Sequence, residues 1–444
     1  MPHVSPVVFL SLPGLRRNDL AHMPAATNLC ASGAIHSLTV PFPAVTWPAQ
    51  ATMLTGLRPN RHGVIANGFY WRERNQVEMW TAGNEVIEQP QIWDRLGQAK
   101  MGFTSAAWFP MLSKRSHANY VCMPAPVHNP DGSESMWCYT QPQDFYRQLL
   151  ESLGPFPLQH FWGPLANIKS SQWIANSAVI AAERFHPDFF YVYLPHLDYA
   201  AQKLGPNSPA AAQALGDLDS LIQSFATRME AAYGRELVWV IASEYAIVET
   251  SHVTYPNRVL REHGLLHVRS QDGEQLDLEN SPAWALVDHQ FSHIFVRNAE
   301  PKVVDQVVKL FRGRAGIRQV LTATDKVQWG MDHPRSGEVI LVSDPHSWQA
   351  YYWWLDDREA PAFARTVDIH RKPGYDPVEL HFDPTTRSIP LNAELVKGSH
   401  GAPASWSGGS EVALTSDSAF FPTETIDSTE LFPAILRHFR VAPN

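Results

Sequence analysis

Thr46 and the string around it are the residues whose types and spacing most directly suggest chemistry. The segment reads Phe42-Pro43-Ala44-Val45-Thr46-Trp47-Pro48-Ala49-Gln50-Ala51-Thr52-Met53-Leu54-Thr55-Gly56-Leu57-Arg58-Pro59-Asn60-Arg61-His62-Gly63. A hydroxyl just before a helix that carries an early proline has free backbone N–H groups and a positive dipole end beside it, a setting suited to a phosphate or a developing oxyanion. The same spacing also describes a plain N-cap threonine. Further polar groups follow apolar runs at His196-Leu197-Asp198 and Ser243-Glu244-Tyr245. Asp288-His289-Gln290-Phe291-Ser292-His293 and Asp368-Ile369-His370 add imidazoles and carboxylates, donors that together suit zinc or manganese. Each of His196, His289, His293 and His370 reads equally well as a hydrogen-bonded structural histidine. Asp332-His333-Pro334-Arg335 and His370-Arg371-Lys372 read as exposed turns or as contacts for a substrate anion. Tyr351-Tyr352-Trp353-Trp354 reads as the core of an inserted segment.

These residues need a frame. The run Val7-Val8-Phe9-Leu10, closing at Pro13-Gly14, predicts a strand and turn, with a helix over 25–33. A helix over 171–184 leads into the continuous apolar run 189–194, as in a strand buried on both faces. The next helix has Asn207 and Ser208 as caps, Pro209 near its first turn, and Leu215, Leu218, Leu221, Ile222, Phe225 and Met229 on one stripe up to Gly234. It feeds the apolar run 237–242. Strands separated by such helices imply parallel crossovers, and open α/β sheets hold their ligands beyond the strands' carboxyl ends. Pro13, Pro195 to Asp198, and Ser243 to Tyr245 are therefore expected to converge. The stretches 68–170 and 253–390 break the rhythm and read as insertions forming a cap on a single domain, 1–444. The segments 393–396 and 411–415, with a helix near 428–439, are placed to return to the main sheet.

Composition bounds the function. With 444 residues, 44% hydrophobic, 18% charged and 15 Trp, the chain is globular and can bury a large core. A formal net charge of -9 provides no broad basic field, which argues against a nucleic-acid polymer as partner. The apolar run at 7–12 is too short to span a membrane and lacks the flanks of a signal peptide, so a soluble cytoplasmic protein is expected. Cys30, Cys122 and Cys138 have no C-x-x-C spacing and read as three reduced thiols. No feature indicates an oligomeric state.

The full string from Phe42 to Gly63 resembles the nucleophile segment of the alkaline phosphatase superfamily, in its nucleotide pyrophosphatase and phosphodiesterase branch. There a Pro-x-x-Thr-Phe-Pro pattern leads to Thr-Gly-x-x-Pro-x-x-His-Gly. Thr46 falls on the family's nucleophile, and Thr55, Gly56, Pro59, His62 and Gly63 fall on the run after it. The resemblance extends in family order to Leu12-Pro13-Gly14-Leu15, to the segment 197–206, to Ser243-Glu244-Tyr245 and to Gly398-Ser399-His400-Gly401. It implies an α/β, alkaline-phosphatase-like layered fold with a central, mostly parallel sheet and inserted cap segments. It also implies hydrolysis of a small phosphate ester or phosphodiester through Thr46, assisted by a divalent metal, with zinc the first choice and manganese the alternative. Asp198 and His400 match the metal pattern, and Glu244 substitutes one carboxylate for another. Pro13, Tyr245 and Gln202 stand where the family has aspartate, histidine and histidine. The resemblance therefore implies as few as one ion; His289 and His370, from the polar clusters named above, are supplementary ligand candidates, and Gln50, Gln202 and Tyr245 are expected substrate contacts. The alternative is a catalytically silent relative that uses the same pocket to bind a phosphorylated metabolite or a protein partner.

Overall fold

Eight consecutive buried residues, Val7–Gly14, form the strand around which the chain is arranged in this computed structural model, which describes residues 4–99, 102–128 and 134–442. A strand with partners on both edges and packing on both faces can be apolar almost throughout. Val7–Gly14 pairs in parallel with Phe189–Tyr193 on one side and Val238–Ala246 on the other. The full sheet has nine strands in the order Thr425–Asp427, Ala34–Thr39, Glu411–Thr415, Val238–Ala246, Val7–Gly14, Phe189–Tyr193, Ser105–Trp108, Tyr120–Pro124 and Cys138–Gln141. Its centre is parallel, while Glu411–Thr415 and the edge strand Cys138–Gln141 run antiparallel to their neighbours. The architecture is thus α/β around a large mixed sheet.

Two expectations need correction. The stretch 68–170 is not simply an insertion, because Ser105–Trp108 and Tyr120–Pro124 continue the parallel ladder and Cys138–Gln141 closes it. Strands of four or five residues among prolines and tryptophans carry too little periodicity to be read locally. The strand expected to stop near Ala242 runs on to Ala246, taking Ser243, Glu244 and Tyr245 into the ladder, because Leu12 and Gly14 still pair with it across a register shift.

The stretch 253–390 builds a separate antiparallel sheet in the order Ala283–Asp288, Phe291–Val296, Val339–Ser343 and Ile317–Leu321. Its own core includes Trp284, Phe295 and the whole Tyr351 to Trp354 run. The two longest helices follow their sequence signals, whereas the helix expected over 25–33 ends at Leu29 and the loop expected after Pro195 is the helix His196–Leu204. Asn167 caps Ile168–Phe185 by accepting from the Lys169 N–H, and Ser208 caps Pro209–Tyr233 by accepting from the Ala211 N–H. The stripe Leu215, Leu218, Ile222, Phe225 and Met229 is buried, and these two helices pack on each other. Cys30, Cys122 and Cys138 are free and buried. Among the described residues no helix is long and apolar enough to cross a membrane.

Candidate active site

Thr46 opens the helix Thr46–Thr55, and Val45, in extended conformation, is the N-cap. The plain N-cap reading is therefore displaced by one residue, and the Thr46 hydroxyl is free of capping. The helix closes at Gly56, whose φ of 70° is the left-handed geometry that glycine enters without a Cβ penalty. Thr46 Oγ1 lies 3.2 Å from the Tyr245 hydroxyl, and that hydroxyl donates to Asp198, 3.2 Å from each carboxylate oxygen. With its one proton directed at Asp198, the Tyr245 oxygen is left to accept from Thr46. Asp198 stands in the first turn of His196–Leu204, the helix that follows the strand Phe189–Tyr193.

Alternation along the strand sends Glu244 to the face opposite Tyr245. There its Oε1 accepts from the Ser11 hydroxyl at 2.6 Å and the Gln50 amide at 2.8 Å. The other end of Gln50 accepts from the Met111 N–H at 2.8 Å, so this side chain braces Glu244. His400 donates from Nδ1 to the Ala44 carbonyl oxygen at 2.8 Å, which leaves Nε2 a bare acceptor, buried and without a partner. Its ring lies flat on Tyr245, with centroids 3.5 Å apart and planes at 4°. His289 sits 3.8 Å from His400 and 3.7 Å from Tyr375. His289 Nδ1 is also 2.6 Å from Asp288, which accepts from the backbone and side chain of Asn67. The Tyr375 hydroxyl donates to Gln202 Oε1 at 3.0 Å. A column of four rings, Tyr245, His400, His289 and Tyr375, thus joins the main sheet to the cap.

The centre is closed and nearly neutral. Thr46 is 5% exposed and Asp198 7%, while Tyr245 and Gln202 are fully covered. Burial pushes the Asp198 and Asp288 carboxyls up to about 7 and Glu244 up to about 8. Burial holds the His289 and His400 imidazoles well below their ordinary range. Both shifts have one cause, the penalty on the charged form away from water. Two open clefts of about 820 and 760 Å³ lie elsewhere, and neither is lined by Thr46, Asp198 or Tyr245.

A divalent ion needs several convergent donors. Among the described residues no group of three or more His, Cys, Asp and Glu is placed to hold one. The donor chemistry explains this: Pro13 has no side-chain donor, Gln202 already accepts from Tyr375, and the Tyr245 hydroxyl engages both oxygens of Asp198. The buried Glu244 Oε2 has no partner, but it belongs to a carboxyl on the other face of the strand. As arranged, these residues do not fit the ion. The expected ligand set is therefore corrected. Asp198, His400 and His289 gather around Tyr245 and Tyr375, whereas Glu244 is tied to Ser11 and Gln50. His370 is exposed on the cap with Nδ1 on the Met79 carbonyl oxygen at 3.1 Å.

Other sequence candidates lie outside the bridge of Thr46, Tyr245 and Asp198. His293 bridges the Ile65 carbonyl and the Gly337 N–H, both at 3.2 Å. His196 lies 3.9 Å from Asp217, away from Thr46's bonds. Arg335 donates to the Gly63 and Val86 carbonyl oxygens, fastening the His62-Gly63 turn to the cap. Three site residues were not singled out from sequence. Ser11 had a signal, since it lies two positions before Pro13 on the same strand face. Asn67 and Tyr375 are single polar residues in irregular segments and had none.

A family model described as type I phosphodiesterase / nucleotide pyrophosphatase matches residues 7–376, which include Thr46, Asp198, Tyr245 and Tyr375 and stop before His400. No curated protein matches the chain. Among solved structures, murine ectonucleotide pyrophosphatase / phosphodiesterase 5 has 16% identity and a TM-score of 0.64, over 99% of this chain and 96% of that one. The human counterpart has 17% identity and a TM-score of 0.64, over 98% and 95%. Phosphonoacetate hydrolase from Sinorhizobium meliloti 1021, in complex with phosphonoformate, has 15% identity and a TM-score of 0.63, over 98% and 96%. At these identities the likeness is one of fold.

Proposed function

The chain belongs to the type I phosphodiesterase / nucleotide pyrophosphatase family, hydrolases of phosphate esters, and from that premise we propose that Thr46 is its nucleophile toward a small phosphate ester or phosphodiester. The observation that carries this reading is the uncapped Thr46 hydroxyl at a helix start, bonded through Tyr245 to a buried carboxyl. The position is apt because open α/β sheets hold ligands at the strands' carboxyl ends and a helix start favours negative charge. Burial raises the Asp198 carboxyl to about 7, so near neutral pH it takes up the Thr46 proton and gives it back with little cost in either direction.

In the reaction the Thr46 Oγ–P bond forms as the bond from phosphorus to the departing alcohol breaks. The alkoxide takes a proton from water, and the hydroxide so formed splits the phosphothreonine. The Thr46 proton leaves along its bond to Tyr245 toward Asp198 and returns the same way, so one water is consumed per ester. No step is assigned to a metal, because the donors do not converge on one.

The test compares wild type with Thr46→Ala on aryl phosphate monoesters and diesters, each without added metal and with zinc or manganese. Loss of turnover by orders of magnitude in the variant is expected. A variant that keeps the full rate removes Thr46 from the role. The second reading, a silent relative, draws on the closure of the centre by Tyr245 and Tyr375. Wild type that binds phosphate esters in calorimetry yet turns over none of the panel identifies it.

A further inference from the structure

The element standing between the nucleophile and the carboxyl is a side chain. We propose that Tyr245 occupies the place of a metal ion and acts as the positioning residue for Thr46, in a centre that works without a divalent cation; this rests on Thr46 being the nucleophile.

Three observations carry it. The Tyr245 hydroxyl is 3.2 Å from Thr46 Oγ1 and 3.2 Å from both Asp198 oxygens, so one atom joins the nucleophile's hydroxyl to the carboxyl. The bridge is rigid: the Tyr245 ring is fully buried and lies 3.5 Å from His400 at 4°, and His400 is held by the carbonyl of Ala44, two residues before Thr46. The loop bearing the nucleophile and the ring that orients it are thereby registered to each other through one histidine. Finally, the neighbouring departures from the metal pattern are used by the chain itself. Gln202 accepts from Tyr375, and Tyr375 stacks on His289, which packs on His400. A hydroxyl with one donor and two lone pairs can orient Thr46 and satisfy Asp198 at once, and it engages both of the carboxyl oxygens that an ion would draw on.

The experiment uses the full chain with two variants. Tyr245→Phe keeps the ring on His400 and deletes only the hydroxyl. Tyr245→His puts an imidazole beside His400 and Asp198. Each protein is dialysed against zinc and then buffer, its metal content is measured by elemental analysis, its melting is followed with and without zinc, and kcat and KM are determined on an aryl phosphodiester with and without EDTA. The expected wild type holds no stoichiometric zinc and its turnover is unchanged by EDTA. Tyr245→Phe is expected to lower kcat about 100-fold, with KM within about twofold, because orientation of the nucleophile matters in the transition state more than in binding. Tyr245→His is expected to take up zinc and melt higher in its presence.

Wild type that holds zinc and loses turnover in EDTA overturns the inference, as does a Tyr245→Phe protein with wild-type kcat. An inactive Thr46→Ala protein alongside a fully active Tyr245→Phe protein keeps the nucleophile and discards the role of Tyr245. If wild type turns over no ester, the nucleophile reading fails and zinc decides alone. Uptake by Tyr245→His but not by wild type then supports Tyr245 as the occupant of the metal's place, and failure of both to take it up refutes that.

Discussion

Two buried polar clusters, one under the cap and one at the main sheet, meet the same problem in opposite ways. In the cap, Lys372 Nζ lies 2.8 Å from Asp376 and 2.6 Å from Glu379, and it also donates to the Thr366 carbonyl oxygen at 3.0 Å. The second oxygen of Glu379 accepts from the Trp162 indole at 2.6 Å. Burial pulls the Lys372 ammonium's pKa down, but Asp376 and Glu379 outweigh it and the net direction is up. This cluster answers burial by pairing, with one ammonium set between two carboxyls, although burial still raises Glu379. At the sheet, Asp198 and Glu244 have hydroxyls and amides for neighbours, while Asp288, at the end of a cap strand beside them, has Asn67 and the His289 ring; burial raises the three to about 7, about 8 and about 7. That cluster answers burial by a raised proton affinity instead of a paired cation. A paired charge locks its surroundings, whereas a nearly neutral centre can receive an anion. Tyr375 joins the two, since it lies between Lys372 and Asp376 in the chain and its hydroxyl reaches Gln202.

The comparison can be broken most sharply at Lys372. Lys372→Met leaves two buried carboxyls without their cation and is expected to cost about 3–5 kcal/mol, read as a lower denaturant midpoint with an unchanged slope. A loss below about 1 kcal/mol would show that Asp376 and Glu379 can neutralise as the central carboxyls do.

The pH dependence sharpens it next. The central carboxyls have folded values above their unfolded ones, so their stabilisation is full at acid pH and is lost as pH rises through about 7 to 8. The buried histidines, held low, act in the opposite sense and only below their unfolded value of about 6.5. Between about pH 6.5 and 8 unfolding free energy should therefore fall, on the order of 1 kcal/mol for each carboxyl, while Lys372 stays charged throughout. Glu244→Gln should flatten that slope in denaturant titrations at the two pH values, and an unchanged slope would remove Glu244 from the account.

Smaller effects follow at the bridge. Tyr245→Phe deletes the bond to Asp198 inside an otherwise intact ring stack, so its stability should drop by about 1–2 kcal/mol. Thr46→Ala leaves that bond in place and should shift stability by less than about 1 kcal/mol, so its consequence lies in turnover. Thermal melts of both variants beside wild type check this order, and a larger loss for Thr46→Ala would mean its hydroxyl supports the helix after all.

Much of this protein was determined by the sequence alone. The runs 189–194 and 237–242 are strands because continuous apolar residues suit a ladder buried on both faces. Ser208, Pro209 and the stripe to Met229 specify a helix because capping and 3.6-residue periodicity act within a few turns. The string from Thr46 to Gly63 marks the family within a single segment. What only the tertiary structure decided is how distant residues use one another. The Thr46 and Tyr245 hydroxyls meet across 199 positions, and Tyr375 reaches Gln202 across 173. The short strands from Ser105 to Gln141 become sheet only because Phe189–Tyr193 offers an open edge. In the sequence Tyr245 looks like a lost metal ligand. Its hydroxyl's position between Thr46 and Asp198 is set by the register of Val238–Ala246 against Val7–Gly14 and by the His400 ring packed on it, which are long-range contacts that no local pattern encodes.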